Sequence, residues 1–495
     1  MSSIDEIRDA RIKKISLLKE RGMEPYSSFS KRELSLEEAI SKFDSLEKEA
    51  LAKWIGGRIM SMRGQGAIIF ITLNDGTATF QGLLKKDVIG EEKLNFFNEA
   101  VDIGDFVEIQ GTFFTTKRGE KTLEAKDWRM LSKSLLPLPE KWHGLQDVEE
   151  RFRKRYLEIL TDKEVFDRFV LRTKVIKEIR KFFDDLGFLE IETPILKNNA
   201  GGAMAEPFLT HHNDLNIDMK LRISLEIEHK MLMAGGFPAV YEIGKNFRNE
   251  GSDPTHIQEF TMMEWYSAYH TLEDNIVWTE NLLKHLAKNV IGKSNFMVYD
   301  KNGNGVEVNF DTVWPRIKFS DLLLKYANID MANISLADLQ KEALKHGIEK
   351  DELAKTGRAN LLDFIFKHAA RPNLIDPVFV IDYPGDLKPL ANQNDDGTAK
   401  VAQLIIGGAE ITNQYSELID PIKQRELLEA QAKAKSAGDK EAMEFDEDFI
   451  TALEYGVPQM TGFGMGIDRL LAIFFEQKNL RETIFFPIMR PRNLE

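Results

Sequence analysis

A chain of 495 residues with 43% hydrophobic and 29% charged content has the make-up of an ordinary globular protein, with core enough for two or three domains. Its net charge of −14 argues against a protein that coats nucleic acid by charge alone, and the absence of cysteine excludes disulfides, thiolate zinc sites and a cysteine nucleophile. No apolar run reaches membrane-spanning length and the start, MSSIDEIRDARIKK, lacks the apolar core of a signal peptide, so the expectation is a cytoplasmic protein without a membrane.

The first 53 residues read as helical. Ser3 and Glu6 form a capping box, Ile4, Ile7, Ile12, Ile15 and Leu18 keep helical spacing, and Gly22 and Pro25 stop the helix. A second helical piece is expected over roughly 35–53. From Trp54 to Leu136 the period changes to two. About five short strands, separated by turn signals at Asp75-Gly76, Gly104-Asp105 and Lys117-Arg118-Gly119, have the size of a small Greek-key barrel of the oligonucleotide-binding kind. The 12 basic and 11 acidic residues between Leu51 and Leu136 leave +1 there and, out of −14 in all, −15 elsewhere, so a polyanion is better received in this part of the chain. Arg63, Phe70 and Gln81 are candidates for a base-binding face. On pattern alone, Phe70 fits the core better than a stacking platform.

Residues 137–160, with Pro137 and Pro139, read as a linker leading into a charged helix, and 161–495 as the main domain. Phe166–Leu186 is an amphipathic helix ended by Gly187, and FLEIETPIL follows as a strand stopped by Pro194. Residues 318–372 are mainly helical between two strand-rich regions, as an insertion would be, and 421–455 are helical and highly charged.

The stretch VYEIGKNFRNEGSDPTHIQEFTMMEWY, Val240–Tyr266, reads as two strands broken by Gly251, Ser252, Asp253 and Pro254. Alternation puts Asn246, Arg248 and Glu250 on one face of the first arm, and Phe260, Met262, Glu264 and Tyr266 together on the second. A surface sheet would turn such polar groups to water. Interleaved with aromatics on otherwise apolar strands, they suit a nucleotide: guanidinium for phosphate, carboxylate for an amino group, ring for a base. Four further stretches bear on chemistry. The small-residue loop Asn199–Ala203 lets backbone approach a ligand, or is a plain turn. Glu226 stands at a strand-to-helix transition, where a carboxylate often complements the helix N-terminus. In QLIIGGAEITNQYSEL, Glu410, Asn413 and Glu417 interrupt an apolar segment. GFGMGIDRLLAIFF is a glycine-rich strand turning into a helix with Asp468-Arg469 at the junction; the missing side chains leave room for a flat ligand. Gly292-Lys293-Ser294 lacks the upstream glycine of a phosphate-binding loop, and His211-His212 lacks metal-ligand spacing.

Taken in this order, the segments resemble the class II aminoacyl-tRNA synthetases, and within them the bacterial-type lysyl-tRNA synthetase family, essentially end to end. The helix and strand closing at Pro194, FRNEGSDPTH, and GFGMGIDRLL correspond to the three class signatures; the barrel, LPLPEKWHGLQD and THHNDL match the lysine branch. The resemblance implies an α+β fold, a mainly antiparallel sheet flanked by helices and preceded by an OB-fold barrel, in a homodimer. It implies that ATP, L-lysine and tRNA(Lys) are the partners and Mg2+ the cofactor. By similarity Arg248 meets the α-phosphate and the lysine carboxylate, and Glu250 the adenine amino group. His256 meets the outer phosphates, Phe260 and Arg469 sandwich the adenine, with Arg469 also reaching the γ-phosphate, and Glu410 holds magnesium. Glu226 and the Gly202 backbone would take the α-ammonium of lysine. Glu264, Glu417 and Tyr266 would take its ε-ammonium, and Asn413 would assist at the carboxylate. Arg63, Phe70, Gln81 and Glu120 fall where the family reads anticodon bases. Unpaired buried carboxylates are costly, so an acidic cluster waits for a cation, whereas a pocket for aspartate would need Lys or Arg.

Two positions depart from the family pattern. Gln403 stands where a second acidic metal ligand is usual, which implies a shifted metal requirement, and Ile257 replaces a usual asparagine near the phosphates. The rival readings are an aspartate or asparagine sister enzyme, which the acidic pocket disfavours, a protein-modifying paralogue, which would lack the barrel, and a non-catalytic amino-acid sensor, which could dispense with Arg248 and Arg469.

Overall fold

The computed structural model describes residues 3–139, 145, 147–300, 302–353, 356–436 and 443–492. Much of the expected linker, residues 140–144 and 146, lies outside the described residues. The chain divides into two compact units, Met1–Gln146 and Asp147–Glu495.

In the first unit, helix α1 (Ile4–Glu20) carries the capping box as read: Ser3 Oγ accepts from the Glu6 N–H while the Glu6 carboxylate accepts from the Ser3 N–H. The helical piece expected over 35–53 resolves into two short helices, Leu36–Ser41 and Phe43–Glu49, the second ended by Ala50 in the left-handed region at φ 51°. Strands β1 (Lys53–Gln65), β2 (Ile68–Asn74), β3 (Thr79–Lys85), β4 (Phe106–Thr115) and β5 (Lys121–Ser132) close into a barrel in the order β1-β2-β3-β5-β4. On β2, Ile69, Ile71 and Leu73 fill the core. Phe70, one step out of phase, is only half-buried and stands opposite Arg63 on β1. The core reading of Phe70 is therefore corrected by strand parity. A helix that the period-two reading passes over, Glu91–Ala100, sets Leu94 and Phe97 into the same core, with Phe97 edge-on to Trp128.

In the second unit, α2 (Lys163–Asp185) starts on an Asp162 cap and ends before Gly187, whose φ of +81° reverses the chain. The strand expected over FLEIETPIL shrinks to β6 (Leu189–Glu190). It edges an eight-stranded sheet with β7 (Ala239–Phe247), β8 (Glu259–Ala268), β9 (Arg316–Lys318), β10 (Val378–Pro384), β11 (Thr398–Ile406), β12 (Ala409–Ser416) and β13 (Met460–Gly466). The order is β9-β10-β11-β12-β13-β8-β7-β6, antiparallel except for the two edge pairs, β9 with β10 and β7 with β6. A parallel pair needs a long crossover, and residues 319–373, mainly helical, supply it between β9 and β10. Phe319, Leu323 and Leu361 pack with Val380 and Val401 on that half of the sheet.

The sheet's two faces divide the labour. Odd residues of β8, Met263 and Trp265, join Val175, Ile179 and Phe183 of α2, Tyr241 and Phe463 in the largest core. Even residues, Met262, Glu264 and Tyr266, face the opposite side, over a cavity of about 290 Å³.

Candidate active site

One row of side chains crosses the sheet beneath this cavity. Register places Gln403 of β11 opposite Asn413 of β12, Asn413 opposite Gly464 of β13, Gly464 opposite Glu264 of β8, and Glu264 opposite Glu242 of β7. Two strand pairs far apart in sequence, β7–β8 and β11–β12, thus bring polar groups to one face, and the glycine between Asn413 and Glu264 keeps the floor open.

Gly202, Glu226, Arg248, Glu250, His256, Phe260, Glu264, Tyr266, Glu410, Asn413 and Arg469 all line the cavity. Gln403 and Glu417 do not. Glu410 and Asn413 are three residues apart, which simple alternation would put on opposite faces. A bulge in the β11–β12 pairing, where Leu404 faces Thr412 and Ile405 faces Glu410, inserts Ile411 and brings both to the same cavity.

The hairpin differs from its reading at the tip. β7 ends at Phe247, so Arg248 and Glu250 leave from the loop and not from a shared strand face, although the Arg248 N–H still donates to Gln258 O at 2.9 Å. The Arg248 guanidinium lies 5.2 Å from the Phe260 ring centre. Its Nε is buried without a partner, and Nη2 makes only a 3.5 Å contact to Ile223 O. Glu250 is exposed. Exposed His256 turns Nδ1 to Asp253 Oδ2 at 2.9 Å; against the effect of burial, the Thr255 hydroxyl and N–H, and after them His256, hold the Asp253 carboxyl below its ordinary range. At the opposite wall, helix α4 (Ile467–Phe474) opens on Asp468, an anchor with no counterpart in the sequence reading. Its Oδ1 pairs with Arg172 at 2.7 Å and its Oδ2 accepts the Thr261 N–H at 2.7 Å, so the helix start is tied to β8 and to α2. The neighbouring Arg469 donates from Nη1 to Glu410 O at 3.2 Å.

The acidic end departs most from expectation. Glu226, Glu264 and Glu417 are all buried, but the cluster already contains a cation. Lys230, one turn along helix α3 (Glu226–Ala234), is fully buried, with Nζ 2.6 Å from Glu226 Oε1 and 2.5 Å from Glu417 Oε2. The idea of three unpaired carboxylates is therefore corrected to two paired ones and Glu264. Glu226 is also the first residue of that helix, as read, so the contact adds to its helix-terminus position. Neither Glu417 oxygen accepts a well-aligned hydrogen bond, and Oε1 rests over Gly462, where a Cβ would come within 2.0 Å of it and 2.5 Å of the Tyr266 ring. Space at Gly462 is thus filled by the protein's own side chains and not kept for a flat ligand.

Glu264 Oε1 accepts from Ser224 Oγ at 2.9 Å and from the Leu225 N–H at 3.0 Å; the Tyr266 hydroxyl donates to Oε2 at 3.4 Å. Burial, reinforced by Glu226, outweighs these bonds and pushes the Glu264 carboxyl up to about 7. Burial also pushes Glu417 and the Tyr266 hydroxyl up, while the two carboxylates around Lys230 hold its ammonium protonated. Gly202, at φ +85°, has room for no side chain: a Cβ would lie 3.0 Å from Glu226 Cβ and Ser224 Oγ.

For a metal, the donor set is small. Among the described residues no three acidic or histidine side chains are placed to hold a metal ion together, and Gln403 spends its amide on Asn413 Oδ1 at 3.4 Å. The half-buried Glu410 carboxylate accepts nothing from the described residues and faces the cavity. It fits an ion held mainly by ligand phosphates. Lys230 was legible as an i, i+4 partner of Glu226. No sequence signal marked Arg172, which reaches Asp468 from another element.

On the barrel, Arg63 and Glu120 are exposed, Phe70 and Gln81 half-buried, and Gln81 Nε2 donates to Thr122 Oγ1 at 2.8 Å.

Residues 147–490 match the family of class II tRNA synthetases (D, K and N), and residues 53–131 the OB-fold nucleic acid binding domain. A lysine–tRNA ligase of Aquifex aeolicus is 46% identical over 88% of the chain and 73% of its own length. One of Lactococcus lactis is 41% identical over 99% of the chain and 100% of its own, and one of Carboxydothermus hydrogenoformans 40% identical over 99% of each.

Proposed function

From the premise that the chain belongs to the class II tRNA synthetases of the D, K and N group, we propose that it activates L-lysine with ATP and ligates it to tRNA(Lys). The observation that carries this reading is the buried acidic end of the cavity, Glu226 and Glu264 at its wall with Glu417 joined to Glu226 through Lys230, beside a guanidinium with an unused Nε. With Glu264 and Glu417 ionised, three carboxylates less the Lys230 charge leave two negative charges for the two ammonium groups of lysine, and Arg248 answers its carboxylate. Glu226 and the Gly202 backbone suit the α-ammonium; Glu264, Tyr266 and Oε1 of Glu417 suit the ε-ammonium; Asn413 borders the carboxylate.

No protein nucleophile is needed. A lysine carboxylate oxygen attacks the α-phosphorus, the bond to the bridging oxygen breaks, and pyrophosphate leaves. The 3'-hydroxyl of the terminal ribose then attacks the carbonyl and AMP leaves. Arg248 and Arg469 hold the phosphates and offset charge growing on them, Phe260 and Arg469 enclose the adenine, Glu250 meets its amino group and His256 the outer phosphates. Glu410 would hold Mg2+, which supplies further positive charge to the phosphates when bound. Charging of a tRNA(Lys) transcript with lysine tests the reading; a transcript left uncharged at any enzyme level contradicts it.

Because Gln403 brings no charge, half-maximal pyrophosphate exchange should need more magnesium than in Gln403→Glu, by severalfold. Identical magnesium titrations for the two would remove the expectation. Lysine binding should also depend on pH through Glu264. Its carboxyl titrates near 7 in the empty cavity, and only the ionised form attracts an ammonium. The lysine KM is therefore expected to fall as pH rises from 6 to 8, and to do so less in Glu264→Gln. The stability of the empty protein is expected to follow the opposite trend, since a carboxyl raised above its ordinary 4.5 favours folding most at low pH and loses that contribution through about 7.

We extend the proposal to the barrel, where Arg63, Phe70, Gln81 and Glu120 would contact the anticodon. Stacking on Phe70 is worth about 1–3 kcal/mol. Phe70→Ala is expected to raise the KM for tRNA at least about fivefold while pyrophosphate exchange stays unchanged. The cytoplasm is the compartment such charging requires, and a homodimer is the assembly implied by the family; a monomer mass in sedimentation would exclude it.

A further inference from the structure

We infer that Lys388 is a further substrate-binding residue, whose ammonium donates to an anionic oxygen where amino acid and nucleotide meet. It follows the turn Gly385–Leu387, its N–H donates to Gly385 O at 3.0 Å, and Pro389 comes next, so its backbone is fixed at the cavity wall. The side chain is half-buried, with Nζ 5.4 Å from the Tyr383 ring centre and 5.9 Å from that of Tyr415.

Arg248 is the other cation here with donor capacity to spare, whereas the remaining basic side chains at the site are engaged. Lys230 pairs with two carboxylates, His256 turns to Asp253, and Arg469 donates to the Glu410 carbonyl. Among the described residues Lys388 Nζ has no hydrogen-bond or ion-pair partner; Glu410, Asp363 and Glu226 act on it only at longer range. Burial lowers its hold on the proton, and those three carboxylates restore part of it. Holding an ammonium against two rings without a counter-ion costs free energy that a bound anion would offset. Nucleotide and amino acid bring two such anions to this cavity, the α-phosphate and the carboxylate, and either is a charge-assisted acceptor.

The inference rests on the lysine-activating reading, and ATP–pyrophosphate exchange by Lys388→Met and Lys388→Arg separates the two. Lys388→Met is expected to lose about tenfold or more in kcat/KM, with an unchanged thermal midpoint because the side chain has no hydrogen-bond or ion-pair partner to lose and methionine keeps the contact with the two rings, and Lys388→Arg should recover most of it. A loss expressed as a raised lysine KM identifies the carboxylate as the acceptor; one expressed in kcat or the ATP KM identifies the α-phosphate. Wild-type kcat and both KM values in Lys388→Met overturn the inference alone. So does a loss that tracks a lowered midpoint and is not recovered by Arg. A wild-type enzyme without lysine-dependent exchange overturns the functional reading and this inference with it.

Discussion

Replacing Arg248 with Ala is expected to slow lysine-dependent pyrophosphate exchange by about a hundredfold to a thousandfold while leaving the fold intact. The size follows from its position. A guanidinium that serves two reacting groups at once acts most strongly where charge builds on the α-phosphate, and removing one such donor costs about 3–4 kcal/mol in a site of this kind. The intact fold follows from its lack of partners: Nε is unpaired, Nη2 barely reaches Ile223 O, and the remaining contact is the face of Phe260. Single-turnover exchange and a thermal melt on the same preparation check both halves. Arg248→Lys should recover little, because a point charge cannot reproduce a planar fork.

Lys230→Met should have the opposite profile, a large loss of stability joined to a loss of lysine binding. Lys230 is fully buried between Glu226 and Glu417, and breaking a buried ion pair by removing one partner costs about 3–5 kcal/mol. Burial already pushes the Glu417 carboxyl up, and without the ammonium it is pushed up further, so the deficit should be smaller at pH 5, where that carboxyl can take up a proton, than at pH 8. Denaturant unfolding at the two pH values reads this directly. The double variant Lys230→Met with Glu417→Gln should regain part of the stability but not the lysine KM. Equal deficits at both pH values would mean that Lys230 acts through packing and not as a counter-ion.

These two residues also mark where sequence reasoning worked and where it stopped. The barrel was legible because turn signals and period-two segments are local properties, and Phe70 was misplaced only until parity with Ile69 and Ile71 was applied. The β7–β8 hairpin was legible for the same reason, so Phe260, Glu264 and Tyr266 fell on the right face. Arg248 and Glu250 were assigned to a strand that stops at Phe247, because nothing before Gly251 breaks the pattern. Glu410 lies on the cavity only through a bulge, and a bulge is a property of the strand pair that one strand's pattern does not carry. Charge was the hardest to read. The acidic residues stand out in apolar segments, but only the i, i+4 pairing of Lys230 with Glu226 has a local signal; its pairing with Glu417 and the Arg172–Asp468 anchor join residues nearly 200 and 300 positions apart.

ATP–pyrophosphate exchange measured in parallel with each of the twenty amino acids bears most directly on the acidic cavity beside the nucleotide slot. The expected outcome is strong stimulation by lysine alone, abolished in Arg248→Ala. Stimulation by aspartate in place of lysine, or by no amino acid, would contradict it.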